Sequence, residues 1–203
     1  MKLRFLSSQS GDLTVLTAAL HHAAGYMKDA GVTATAVDGA FVAAPTDTIV
    51  HICLTDDKRS LNTNTTGSGD TAGKTQLHIT PLNKGYEFEG YSEVWLATAM
   101  AKLGLSITGG GEAEKAHFVE NVGTLIGALA IHEAMHMKCE AGEIAAGNDT
   151  WELHANGGGG VAAPDAGIRK TKEGKVIAPL NGKNKSLIGR HFGTPVKQIV
   201  RVA

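Results

Sequence analysis

Apolar and polar residues alternate from Lys2 to Leu6, which puts Leu3 and Phe5 on one face of a predicted first strand. Ser10 or Asp12 caps a predicted helix that runs to about Ala30. Its stripe is Leu13, Leu16, Leu20 and Ala24, and Gly31 stops it. Val32 to Val37 alternates again, and the compact β-branched run Thr48 to Leu54 reads as a buried strand. Residues 55–73 are polar, Gly-rich and turn-forming, so they predict a long exposed loop. Lys74 to Thr80 predicts a further strand, ended by Pro81. Residues 91–103 predict a helix that buries Val94, Leu96, Ala97 and Met100. Gly109 to Gly111 then breaks the chain before a long helix from about Glu112 to at least Lys138. Beyond it, Gly157 to Gly160 and Pro164 mark a hinge or loop, and Lys175 to Leu180 and Val196 to Val202 are strand-like pieces between turns. Strands and helices in this order give an α+β class.

Composition narrows the picture. A chain of 203 residues with 42% apolar and 19% charged residues suits one packed globular domain. Its 26 glycines and 5% aromatic content imply many loops and a modest core. No apolar run approaches the ~18 residues of a membrane helix, so no membrane partner is expected. Met1 to Ser10 lacks an apolar signal region, which makes a cytoplasmic location the default expectation. Secretion or virion association stays open for a processed form. Cys53 and Cys139 can make at most one bridge, and Cys53 reads as a small buried hydrophobe. Charge is uneven. Residues 1–154 carry 10 Lys/Arg against 18 Asp/Glu, and residues 155–203 carry 9 against 2, balances of −8 and +7. The favoured reading is a basic C-terminal segment that wraps an acidic body. The sharper one is a tail that touches an anionic partner such as nucleic acid.

The long predicted helix carries the chemistry. At 3.6 residues per turn, His132 and His136 project from one face, one turn apart, and can share one tetrahedral metal ion. Glu133 lies about 100° round the helix and flanks that site without having to be a ligand. A carboxylate there can take a proton from a metal-activated water and pass it to a leaving amine. The preceding run is strongly apolar (Val122, Leu125, Ile126, Leu129 and Ile131), and Gly123, Gly127, Ala128 and Ala130 allow close packing. Two histidines and a glutamate on a buried helix need partners. The bland alternative is an exposed helix end whose His and Glu face water.

On His132-Glu133-x-x-His136 at the end of an apolar helix, the chain resembles the zincin superfamily of zinc metallopeptidases. The resemblance covers 1–145 loosely. It implies a small mixed sheet packed on a backing helix and a long active-site helix, followed by a loop-rich C-terminal segment. It also implies an edge strand that aligns the substrate backbone, for which Lys74 to Pro81 stands in order. The implied organisation is a catalytic domain over 1–154, with the Gly-rich basic segment 155–203 packed on it. The implied activity is Zn2+-dependent peptide-bond hydrolysis, endopeptidase rather than exopeptidase, on a peptide or protein substrate.

Catalytic zinc usually has three protein ligands. The metzincin pattern asks for Gly at 139 and His or Asp at 142, where this chain has Cys139 and Gly142, and no Met follows Met137. His154, followed by a glycine-rich turn, loosely resembles the later ligand of SprT-like peptidases and is the preferred third ligand. Glu152, at a gluzincin-like position, is next. Glu140, Glu143, Asp149, His191 and, least of all, Cys139 complete the candidates. His191 or Arg190 also stands as a candidate oxyanion donor. His21, His22, His51 and His78 read as surface or hydrogen-bonded residues. His117 stands about 22 Å back along the helix, too far to share the metal. The alternative function is a non-catalytic structural, assembly-linked or nucleic-acid-associated protein with a vestigial or structural metal site.

Overall fold

The computed structural model describes residues 2–7, 13–33, 35–37, 48–53, 72–106, 110–140, 142, 168–179, 182–192 and 198–200. They form a mixed α+β structure. Strand β1 (Lys2–Ser7) leads into helix α1 (Leu13–Asp29), which returns the chain to β2 (Thr35–Val37), parallel to β1. Strand β3 (Thr48–Cys53) lies parallel to β1 on its other side. A two-residue turn, Asn83–Lys84, joins β4 (Gly73–Leu82) to β5 (Gly85–Trp95) as an antiparallel hairpin, and β5 runs parallel to β3. The sheet order is therefore β2-β1-β3-β5-β4. Among the described residues β4 has one strand neighbour, β5.

The C-terminal segment returns to this sheet. After the short hairpin β6 (Arg169–Lys170) and β7 (Val176–Ile177), helix α4 (Gly182–His191) leads to β8 (Gln198–Val200). Strand β8 pairs antiparallel with Tyr86 to Phe88 of β5. Asn121 anchors the β6–β7 hairpin. Its Oδ1 accepts the Val176 amide at 2.8 Å, and its Nδ2 donates to the Gly174 carbonyl at 2.9 Å. The tight turn before β7 uses Gly174 at φ 81°, a conformation glycine adopts without steric cost.

Helix α2 (Leu96–Lys102) follows β5, and the long helix α3 (Glu112–Met135) continues into a π-helical turn, His136–Glu140. Helix α1 packs on β1, β2 and α3, while α3 reaches β3, β4 and β5, so the two helices lie side by side on one face of the sheet. Every residue of α3 from Asn121 to Met135 is buried, as befits a helix with protein on all sides. Small residues make this possible. A Cβ on Gly123 would lie 2.5 Å from the Ala18 Cβ, and one on Gly127 would lie 2.8 Å from the Ala19 carbonyl oxygen. Helix α1 ends with Gly31 at φ 77°, and the Val32 amide reaches back to the Met27 carbonyl at 2.9 Å.

Several local expectations need correction. Residues 91–95 belong to β5 rather than to a helix. Ser92, Glu93, Val94 and Trp95 are all buried, because this strand has neighbours on both edges and a helix on its face. Pro81 does not end β4, because an edge strand can carry a proline whose missing N–H faces away from the ladder. The buried row of α1 is Val15, Ala19, Ala23 and Met27 with Leu20, so Ala24 is only half-buried, and the side chains of Leu13 and Leu16 lie outside the described set. The long helix changes pitch at His136 instead of continuing as α-helix to Lys138. Helix α4 is not predicted by the pattern; its glycines and lysines hide a short buried face of Leu187 and Ile188, with Phe192 buried just past its end. The proposed loop 55–73 lies outside the described residues except Ala72 and Gly73.

The α1–α3 contact predicts opposite effects at two glycines. Gly123→Val should lower the unfolding free energy by about 1–3 kcal/mol through overpacking. Gly25→Ala should raise it by about 0.5–1 kcal/mol, because Gly25 is an exposed helical position with open space around it. Urea midpoints of both variants check the pair, and a neutral Gly123→Val would refute the close approach.

Candidate metal centre

Helix α3 delivers His132, Glu133 and His136 to its buried end. His132 is 2% exposed, Glu133 4%, and His136 is half-buried. The two rings stand nearly perpendicular, at 87°, and their Nε2 atoms are 3.2 Å apart. The water-facing reading of this helix end is therefore corrected for His132 and Glu133.

Glu133 is held from the sheet. The Thr75 hydroxyl lies 2.7 Å from Glu133 Oε2 and 2.9 Å from the Glu133 carbonyl oxygen. Ser92, directly opposite Thr75 across the β4–β5 ladder, lies 2.7 Å from the Thr75 hydroxyl and 3.3 Å from the same carbonyl. Two residues before Thr75 on the same face of β4, Gly73 leaves the space that Glu133 Oε1 occupies. A Cβ there would come within 2.5 Å of it. Neither Thr75 nor Ser92 is legible as a site residue in the sequence, because the pattern over 91–103 predicts a helix where the second strand of the hairpin lies. The available signal was the Tyr86-Glu87-Phe88-Glu89 alternation just after a turn.

The π-helical turn buries Met137, Lys138 and Cys139 in succession. Such turns recur at functional sites because the inserted residue re-aims the side chains around it. Burial pushes the Lys138 ammonium down from 10.5 to about 8, opposed by the nearby Cys139. Cys139 belongs to the hydrophobic core cluster, which fits a small buried apolar residue.

His154, Glu152, Glu143 and Asp149 lie outside the described residues, as does the Glu140 side chain. His191, at the end of α4, is buried, and its ring lies where a side chain on Gly142 would have to go. Arg190 is exposed. Among the described residues, no three His, Cys, Asp or Glu side chains converge on one point. Of the other histidines, His22 binds Glu120 at 3.0 Å and Thr124 at 3.2 Å, tying α1 to α3, while His21 is exposed. His117 is exposed and bonds to Asn121 at 3.2 Å. The side chains of His51 and His78 lie outside the described set. No helix of the described residues is long and apolar enough to cross a membrane.

No family model, curated protein or solved structure matches this chain.

The Lys138 shift has a defined consequence for stability. Below pH 8 the residue is charged in folded and unfolded chains alike, and the fold carries the burial cost. Between about 8 and 10.5 the folded chain releases the proton while the unfolded chain keeps it, so stability rises with pH across that window. In metal-free protein, wild type should gain about 2 kcal/mol over Lys138→Met between pH 7.5 and 10. Urea denaturation at the two pH values reads this, and parallel pH dependence of the two proteins would refute it.

Proposed function

We propose that this chain is a zinc-dependent metallopeptidase, an endopeptidase in which His132, His136 and a third residue hold Zn2+ and Glu133 is the general base. The observation that carries the reading is the 3.2 Å between the two Nε2 atoms. Two imidazoles on a tetrahedral zinc, with Zn–N about 2.0–2.1 Å, need their nitrogens about 3.3 Å apart. The donor set and its spacing therefore fit that ion. His154 is the proposed third ligand.

When bound, zinc supplies Lewis acidity that activates a water and polarises the scissile carbonyl. The rest falls to the chain. Glu133, on the turn between the two histidines, accepts a proton from the attacking water and returns it to the leaving amine. Its burial keeps bulk water away from this transfer and strengthens its electrostatic interactions. The edge of β4 away from β5, without a strand neighbour among the described residues, suits an extended peptide added as a further strand, with main-chain hydrogen bonds aligning it. A zincin-like arrangement, with edge strand, backing helix α1 and active-site helix α3, is part of the same proposal.

Metal analysis joined to a cleavage assay on denatured protein tests the reading. Wild type should take up one zinc per chain, and His132→Ala and His136→Ala should lose it. Glu133→Ala should keep the metal and lose at least about 10²-fold in cleavage rate. Failure of wild type to bind zinc on reconstitution would contradict the proposal, and unchanged cleavage by Glu133→Ala would remove it as the base. His154→Ala with unaltered zinc affinity would reject that ligand and turn the search to Glu152 and His191.

A further inference from the structure

Thr75 has one hydroxyl proton and three oxygen neighbours within 2.9 Å: Glu133 Oε2, the Glu133 carbonyl and Ser92 Oγ. An ionised carboxylate is the strongest acceptor of the three. Ser92 can donate its own proton to Thr75, whose proton then goes to Oε2, so that Thr75 accepts once and donates once. Chains of this kind polarise one another and fix their members more firmly than isolated bonds do. On the opposite side Gly73 leaves Oε1 a close-fitting space. Glu133 thus sits on α3, but its carboxylate is set by Gly73 and Thr75, alternate residues of the edge strand. The Glu133 carbonyl, 2.9 Å away, is the alternative acceptor of the same proton.

We infer that Thr75 is a positioning residue for Glu133, and that through it the strand offered to substrate also sets the orientation of the base. This rests on the metallopeptidase reading. It places a determinant of the base's orientation on a hydroxyl pair of the β4–β5 hairpin. Substrate contacts along the edge of β4 are main-chain, whereas Thr75 turns its hydroxyl to α3. Its loss should therefore fall on turnover rather than on binding.

Thr75→Val keeps the branched shape and removes the hydroxyl, and Thr75→Ser keeps the hydroxyl. In zinc-loaded protein, Thr75→Val should retain zinc stoichiometry and KM and lose about 10–100-fold in kcat, and Thr75→Ser should stay within about threefold of wild type. A second readout needs neither metal nor turnover. The carbon-13 resonance of the Glu133 carboxyl, identified by its loss in Glu133→Gln, should shift in metal-free Thr75→Val and return in Thr75→Ser. Wild-type kcat in Thr75→Val, or a loss that Thr75→Ser does not restore, would overturn the inference. Should Thr75→Val fail to fold, Ser92→Ala takes its place: a several-fold fall in kcat at constant KM supports the hydroxyl chain, and an unchanged kcat overturns it. A wild-type chain that neither binds zinc nor cleaves ends both readings. Active wild type with an indifferent Thr75→Val ends this one alone.

Discussion

A carboxylate and two imidazoles at the buried end of a helix can exist only if each has a partner. Leaving such groups unpaired in a low-dielectric interior costs several kcal/mol apiece, a large share of the marginal stability of a domain. Helix α3 is buried from Asn121 to Met135, so the constraint cannot be met by turning one face to water. The structure meets it for Glu133 with the hydroxyls of the β4–β5 hairpin, and it turns the nitrogens of His132 and His136 toward one another.

That constraint depends on the packing around the helix. Gly123 and Gly127 let α1 approach closely enough to cover one side of α3, while the sheet covers another. The same approach makes α3 a rigid carrier, and rigid carriers hold site geometry better than loops. The change of pitch at His136 falls at the second histidine. It sends Met137, Lys138 and Cys139 into the interior and leaves Lys138 as a buried cation with a depressed pKa. The polar burden of this helix end is thus concentrated within a few residues, as at sites where stability is traded for chemistry.

The sequence pattern made α1, β1, β3 and most of α3 legible: β1 and the helices have a clear apolar rhythm, α1 and α3 are bounded by Gly31 and by Gly109 to Gly111, and β3 is a compact β-branched run. The His132–His136 convergence was legible for the same reason, since one helical turn separates the two side chains whatever the tertiary context. The β4–β5 hairpin was not. Ser92-Glu93-Val94-Trp95 is buried on both faces and has no alternation to betray a strand, and the apolar residues that follow extend a helical reading backward. Losing the hairpin concealed Thr75 and Ser92, whose roles come from register across the sheet, not from spacing along the chain. Helix α4 escaped notice because Gly182 and Gly189 and its lysines dilute a stripe of only a few apolar residues. Periodicity says nothing of the proposed third ligand His154, which is distant along the chain from the two histidines.

The proposed zinc ion between His132 and His136 can be observed directly. X-ray absorption at the zinc edge, on protein reconstituted with one equivalent of zinc, reads the ligand shell directly. Imidazole nitrogens are expected at about 2.0–2.1 Å, and His136→Ala should no longer hold the zinc. A shell of light oxygen donors without imidazole scattering, or one that His136→Ala leaves unchanged, would contradict the proposed site.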